Sequence, residues 1–228
     1  MKKTLVLSLG GSLIVPEKVD PKWLEDFKRL IITFRRKYKF VVECGGGFVA
    51  REYITILKEE HKSKKQQSLA GIDVTRMNAK IMMQLFGNYS NKELPKSMNQ
   101  IKNLLEKKDI VFCGALRYAP NQTSDSTAAK IASYFKTEFV NLTNVDGLYT
   151  KNPSKNKDAR FISSISWKDF EKIALKSKYS PGQHFVLDQN ASKIIKKHKI
   201  KTYILGKSIE NIKKFLNRKK FIGTVIGG

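Results

Sequence analysis

The fold is decided by a short apolar run that ends in a glycine turn, TLVLSLGGS at residues 4–12. The pattern returns as FVVECGGG at residues 40–47 and, more loosely, as EFVNLTNVDG at residues 138–147. The apolar parts are too short for helices, which predicts buried strands over residues 4–9, 40–44 and 138–142. Glycine lets backbone N–H groups approach an anion closely, so the three turns predict a phosphate cradle built from several loops.

Length and composition predict one domain without a membrane anchor. The chain has 228 residues, of which 41% are hydrophobic, enough for one sizeable core. No apolar stretch approaches the roughly 20 residues that span a bilayer, and Met1 leads straight into a strand, so we expect a cytoplasmic protein. Cys44 and Cys113 each end an apolar run before a glycine, which favours small buried side chains and excludes a disulfide framework.

The chain carries a formal net charge of +24, from 44 basic and 20 acidic residues. Such a charge is compatible with nucleic-acid or polyphosphate partners. The lysines are spread over predicted helix faces, however, and no helix-turn-helix, zinc-knuckle or RNP pattern is present. We therefore expect a solvated lysine-rich surface and no nucleic-acid partner, with polyanion binding as the alternative.

Strands and helices alternate along most of the chain. Helices are predicted over residues 21–38, 48–61, 95–107, 125–135, 167–176, 187–197 and 208–216, with another that starts at 73 or 75 after a lysine- and glutamine-rich loop. Further strands are predicted over residues 109–113, 200–205 and 223–226, and a long polar loop over 114–124. This order predicts an α/β three-layer sandwich with a mainly parallel sheet. Ligands in such sheets bind beyond the carboxyl ends of the strands, where the glycine turns lie.

Common nucleotide-binding motifs do not explain these turns. No Walker A sequence is present, which disfavours a P-loop NTPase. The Gly45-x-Gly47-x-x-Ala50 pattern imitates a dinucleotide fingerprint but lacks the acid about 20 residues further on, which disfavours a nicotinamide enzyme.

Five motifs occur in this order along the chain: GGS at 10–12, GGGxxxREY at 45–53, GIDVTRMNA at 71–79, TSD at 123–125 and TNVDGLY at 143–149. Together they resemble the amino acid kinase family, most closely its archaeal-type uridylate kinases, over nearly the whole chain. The resemblance implies a carbamate kinase-like fold that transfers the γ-phosphoryl group of ATP to UMP in pyrimidine biosynthesis. It also implies an acceptor lobe over about 1–135, an ATP lobe over about 136–228, Mg²⁺ as cofactor and a homohexamer.

The resemblance assigns roles to individual residues. For ATP it implies Ser8, Leu9, Gly10, Gly11, Ser12, Gly47, Arg51, Thr143, Asp146, Tyr149 and Asn152. For UMP it implies Gly46, Ser68, Arg76, Thr123 and Ser124, and for the reaction centre Gly10, Gly11, Arg51 and Asp125, with no protein ligand to a metal. These residue types suit phosphoryl transfer, which needs alignment and charge neutralisation more than a covalent nucleophile.

Purely structural interpretations remain open for three of these residues. Arg51 follows a glycine nest and suits bidentate contact with phosphate oxygens, yet a solvated helix charge is the alternative. Asp125 could be a plain helix N-cap. Tyr149 could be a half-buried packing residue.

The chain departs from the family pattern mainly on the acceptor side. Ser8 stands where many members carry a lysine, which leaves Arg51, Arg117 and Mg²⁺ as candidates to neutralise phosphate charge. Ser68 replaces an acid, Asn152 replaces an aspartate, and the acceptor loop, CGALRYAPNQTS at 113–124, is poor in glycine. Two alternatives therefore remain: another small acceptor such as acetylglutamate or isopentenyl phosphate, and a catalytically reduced nucleotide- or polyanion-binding regulator.

Overall fold

A computed structural model describes residues 2–120, 122–151, 153, 156–176 and 187–228. The strands are β1 (Lys3–Leu9), β2 (Tyr38–Cys44), β3 (Ile110–Cys113), β4 (Phe139–Leu142), β5 (Leu148–Tyr149), β6 (Phe161–Ile162), β7 (Ser164–Ile165), β8 (Thr202–Leu205) and β9 (Thr224–Ile226). The helices are α1 (Gly11–Ile14), α2 (Pro21–Phe34), α3 (Gly47–Glu59), α4 (Lys64–Phe86), α5 (Met98–Lys107), α6 (Ser124–Tyr134), α7 (Trp167–Leu175), α8 (Gln189–Lys197) and α9 (Ile209–Leu216).

A seven-stranded sheet, in the order β3-β2-β1-β4-β8-β9-β7, forms the centre of the molecule. Its neighbouring strands are parallel except for β8 and β9, which pair antiparallel. A separate antiparallel pair, β5 and β6, lies beside it. The mainly parallel sheet predicted from the sequence is confirmed.

Each face of the sheet carries its own apolar core. One core contains Phe27, Met82 and Phe215 from α2, α4 and α9. The other contains buried side chains from α5, α6, α7 and α8, among them Phe170 and Ile195. Alternating side chains of the strands join both cores, as expected for strands buried on two faces. The predicted three-layer α/β sandwich is confirmed.

Helix α4 differs most from the sequence prediction. The chain was expected to form a loop after residue 61 and a helix from residue 73 or 75, but α4 begins at Lys64. Ser63 accepts a hydrogen bond from the Gln66 backbone N–H, and the Gln66 side chain accepts one from the Ser63 N–H. This reciprocal capping box satisfies two N–H groups that would otherwise lack partners and starts the helix nine residues early.

The remaining bounds differ by a few residues at the ends. Helix α2 ends at Phe34 because Tyr38 already belongs to β2, and α3 begins at Gly47. Helix α5 begins at Met98, α6 at Ser124 and α8 at Gln189. The starts of α3 and α6 matter most, because Gly47 and Ser124 lie in the cleft described below.

The cysteines agree with their prediction. Cys44 and Cys113 are free and fully buried. Burial raises the pKa of both thiols well above its ordinary value. Within the described ranges, no helix combines the length and the apolar character that a membrane crossing needs.

Candidate active site

A cleft of about 770 Å³ lies beyond the carboxyl ends of β1, β2 and β4. It brings together most of the residues that the sequence analysis singled out. Those that line it are Gly10, Gly11, Ser12, Gly46, Gly47, Arg51, Ser68, Thr123, Ser124, Asp125, Thr143 and Tyr149. The cleft lies where the sequence analysis predicts the site, beyond the carboxyl ends of the strands.

Two of the glycine turns touch backbone to backbone. A Cβ atom on Gly11 would lie 1.9 Å from the backbone nitrogen of Gly47, so no side chain fits there. Gly47 has a φ of +69°, a conformation that favours glycine. Asn78 fastens the second turn, since its Nδ2 donates to the carbonyl of Gly45 at 2.7 Å and to that of Gly46 at 3.2 Å. The N-termini of α1 and α3 consequently meet at the cleft, where their backbone dipoles favour an anion.

Helix α4 fastens the loop that follows β3, residues 114–123. Arg76 donates through Nε to the carbonyl of Ala115 and through Nη2 to that of Leu116, both at 3.1 Å. Thr75 Oγ1 accepts the backbone N–H of Ala115 at 2.9 Å. Arg76 does not line the cleft, so its place in the structure is that of a loop anchor, and its contact with UMP stays a prediction.

Asp125 lies in the first turn of α6, at the bottom of the cleft. Ser8 donates to Asp125 Oδ1 at 3.0 Å. Burial, followed by the charge of Asp188, raises the pKa of Asp125 to about 8, and the Ser8 hydrogen bond opposes that rise. The alternative that Asp125 caps its helix is wrong, because Thr123 occupies the N-cap position.

Asp188, which the sequence analysis gave no role, joins two helix N-termini at the same place. Its carboxylate accepts hydrogen bonds from Thr123 and Ser126 of the α6 turn. It also accepts the backbone N–H groups of Asn190 at 2.7 Å and Ala191 at 2.8 Å in α8. An aspartate directly before a helix is a cap signal in the sequence, but its reach to Thr123 appears only in the fold.

Three cationic side chains line the cleft: Arg51, Arg117 and Lys151. Lys151 is ion-paired with Asp158. Burial, and after it the nearby charge of Arg117, lowers the pKa of Lys130. Arg51 makes no hydrogen bond or ion pair within the described part of the chain, so its guanidinium is available for an anionic ligand.

Besides Arg76, three of the predicted residues that the structure describes are not part of the lining. Leu9 is fully buried in the core and Ser8 is 1% exposed beneath Asp125. Asp146 is exposed and lies against Gly206. Asn152 falls outside the described residues. Tyr149 does line the cleft, but it is also half-buried and packs edge-on to Phe161 at 5.4 Å, so its packing role is real.

The described side chains do not form a metal site of their own. Among the residues that the model describes, no group of three or more His, Cys, Asp or Glu side chains could hold a metal ion. Magnesium is commonly held by one or two carboxylates together with substrate phosphates and water. Asp125 and Asp188 are carboxylates of the described lining, and Mg²⁺ as a cofactor stays a prediction.

Glycine turns, helix N-termini and unpaired positive charge at one cleft define an α/β protein that binds phosphorylated ligands. Comparison with known proteins then gives the family. The family model described as "Amino acid kinase family" matches residues 3–206. The chain belongs to the amino acid kinase family.

Individual relatives cover nearly the whole chain. A uridylate kinase of Methanocaldococcus jannaschii is 32% identical over 98% of this chain and 99% of its own. A uridylate kinase of Archaeoglobus fulgidus is 33% identical over 97% and 99%. The crystal structure of uridylate kinase from Archaeoglobus fulgidus superimposes with a TM-score of 0.84 at 32% identity, covering all of both chains. The sequence resemblance to archaeal-type uridylate kinases is confirmed.

Proposed function

We propose that this protein is a uridylate kinase, which transfers the γ-phosphoryl group of ATP to UMP and releases ADP and UDP. The observation that carries the proposal is the cleft itself, which is lined by both glycine turns, Arg51 and Asp125. The near full-length relatives of the chain are named uridylate kinases. No side chain at that point needs to form a covalent intermediate. The acceptor phosphate attacks directly, in line with the leaving ADP.

The donor phosphates are proposed to lie on the glycine turns. Backbone N–H groups at the N-termini of α1 and α3 would bind their oxygens, and Arg51 would bridge donor and acceptor phosphates. Thr143 and Tyr149, at the other end of the cleft, would hold the nucleoside of ATP. The chain beyond about residue 136 would thus carry the nucleoside of ATP, while the glycine turns before it carry the phosphates.

The acceptor is proposed to lie between α4 and the loop that follows β3. Ser68, Thr123 and Ser124 line this part of the cleft and offer hydroxyl groups. Arg76 acts on it by fixing the carbonyls of that loop. Mg²⁺ would come with ATP, where it offsets the negative charge of the phosphates, and positioning by the chain would supply the rest of the catalysis.

A coupled ADP-release assay tests this function directly. The assay contains ATP, Mg²⁺ and one acceptor from the set UMP, CMP, dTMP, acetylglutamate and isopentenyl phosphate. We expect turnover with UMP to exceed that with each other acceptor by at least about tenfold. Selective turnover with a different acceptor would reassign the substrate.

A thermal-shift series with the same ligands distinguishes a kinase from a nucleotide-binding regulator. A kinase is expected to be stabilised both by ATP and by UMP, since each binds only the folded state. Stabilisation by ATP alone, without turnover of any acceptor, would favour the nucleotide-binding regulator.

We also propose that the protein assembles as a homohexamer. Helix α4 exposes Met77, Ile81 and Leu85 at a spacing of four residues, and α3 exposes Tyr53 and Ile56. An apolar stripe of this kind is typical of protein–protein contacts. Light scattering after gel filtration is expected to give six times the mass of one chain, and the mass of a single chain would contradict the proposal.

A further inference from the structure

Glu43 is a buried acid with an unusual environment. It lies at the carboxyl end of β2, directly below the second glycine turn, and is 0% exposed. Its Oε1 atom has no hydrogen-bond partner among the described residues. A buried carboxylate oxygen without a partner is costly when it is charged, so the environment itself favours the neutral carboxyl group.

The register of the sheet places Glu43 beside the reaction centre. Glu43 pairs with Ser8 of β1 on one side and with Cys113 of β3 on the other, so all three share one face of the sheet. Ser8 Oγ lies 3.5 Å from Glu43 Oε2 and 3.0 Å from Asp125 Oδ1. The Ser8 hydroxyl therefore stands between two carboxyl groups.

One hydroxyl has one proton, which decides the direction of these contacts. When Asp125 is ionised, the closer contact makes Ser8 the donor to Asp125, so Ser8 cannot also donate to Glu43. A neutral Glu43 can donate its own proton to Ser8 Oγ, whereas an ionised Glu43 would face a lone pair. With Asp125 ionised, both Ser8 contacts are therefore hydrogen bonds only if the Glu43 O–H donates to Ser8 and the Ser8 O–H donates to Asp125.

The groups that face Glu43 are acidic or neutral. They are Asp125 from α6, with Asp188 behind it, and the thiol of Cys113 from β3, whereas Cys44, the next residue of β2, points to the opposite face of the sheet. No lysine or arginine in the described ranges forms an ion pair or hydrogen bond with Glu43 or Asp125. Burial, and after it the charge of Asp125, raises the pKa of Glu43 well above its ordinary value, in agreement with the hydrogen-bond argument.

We propose that Glu43 is a positioning residue of the phosphoryl-transfer site: as a neutral carboxyl group it donates to Ser8 and so directs the Ser8 hydroxyl at Asp125. The two acids then carry at most one negative charge next to the incoming phosphates, in a chain that has Ser8 in place of a cation. The proposal rests on the proposed kinase function. It predicts that kcat declines at alkaline pH, where Glu43 ionises and no longer donates to Ser8.

Two substitutions of similar size separate positioning from packing. Glu43→Gln keeps a neutral donor for Ser8, so its kcat at pH 7 is expected to stay within about twofold of wild type. Glu43→Leu fills the same space without a donor, so kcat is expected to fall about five- to tenfold, the usual effect of one hydrogen bond, with KM for ATP and UMP unchanged. The decline of wild-type kcat at alkaline pH is expected to move to higher pH in Glu43→Gln. Equal kcat values and equal pH profiles for the two variants would overturn the proposal, as would loss of activity in both.

A second measurement does not depend on turnover. A neutral buried Glu43 holds a proton that the unfolded chain releases above about pH 4.3, so the free energy of unfolding falls as pH rises from that value. Urea unfolding between pH 5 and 9 is expected to show a shallower decline for both variants than for wild type. Equal slopes in all three proteins would show that Glu43 is ionised and would overturn the proposal. Absence of wild-type turnover with UMP would refute the kinase function alone, because the slopes still decide the state of Glu43.

Discussion

Replacing Arg51 by alanine is expected to lower kcat/KM for phosphoryl transfer about 100- to 1,000-fold and to leave the fold intact. Arg51 lies one helical turn after Gly47, lines the cleft and has no partner within the described residues, so no internal contact depends on it. A bidentate guanidinium–phosphate contact contributes about 3–4 kcal/mol, which corresponds to that loss of rate. Steady-state kinetics with ATP and UMP measure the effect.

Two companion variants show whether the effect belongs to the guanidinium at that position. Arg51→Lys keeps the charge but loses the planar pair of donors, so an intermediate rate is expected. Arg36→Ala removes an exposed arginine that does not line the cleft, and its rate is expected to equal that of wild type. Near-normal activity of Arg51→Ala would remove Arg51 from the site and leave Arg117 and Lys151 as the phosphate-binding side chains.

The central strands could be predicted because they are buried on both faces. Apolar runs such as those of β1 and β2 stand out in the sequence, and the glycines after them mark the edge where the site forms. The antiparallel pairing of β8 with β9 could not be predicted, since the pattern of a short apolar strand does not encode its direction. The strands β6 and β7 have two residues each, too few for any period to appear.

The glycine turns of the site could be predicted, and so could the position of Arg51, because local motifs carry them. Glu43 and Asp188 could not be placed in this way. Glu43 reaches Ser8 only through the register of β1 against β2, across 35 positions of sequence. Asp188 reaches Thr123 only because α6 and α8 pack together in the same layer, across 65 positions. Neither contact has a local sequence signal.

Replacing Asp125 by asparagine is expected to change activity and stability in opposite directions. Activity is expected to fall about 100-fold or more, because Asp125 is an acidic group that lines the cleft together with both glycine turns and its loss leaves the reacting phosphates less well positioned. The free energy of unfolding at pH 8 is expected to rise by about 2–4 kcal/mol, since asparagine keeps the oxygen that accepts from Ser8 without the cost of a buried charge.

The sign of the stability change follows from the pKa of about 8 that Asp125 has in the folded protein. The unfolded chain releases this proton near pH 3.9, so the folded state binds more protons between those values and loses stability as pH rises. The gain in Asp125→Asn is therefore expected at pH 8 and not at pH 4, whereas Glu106→Gln, which removes an exposed charge on α5, should show none at either. Chemical unfolding at the two pH values measures this difference. Equal stabilities of wild type and Asp125→Asn at pH 8 would show that Asp125 is ionised at no cost and would contradict the prediction.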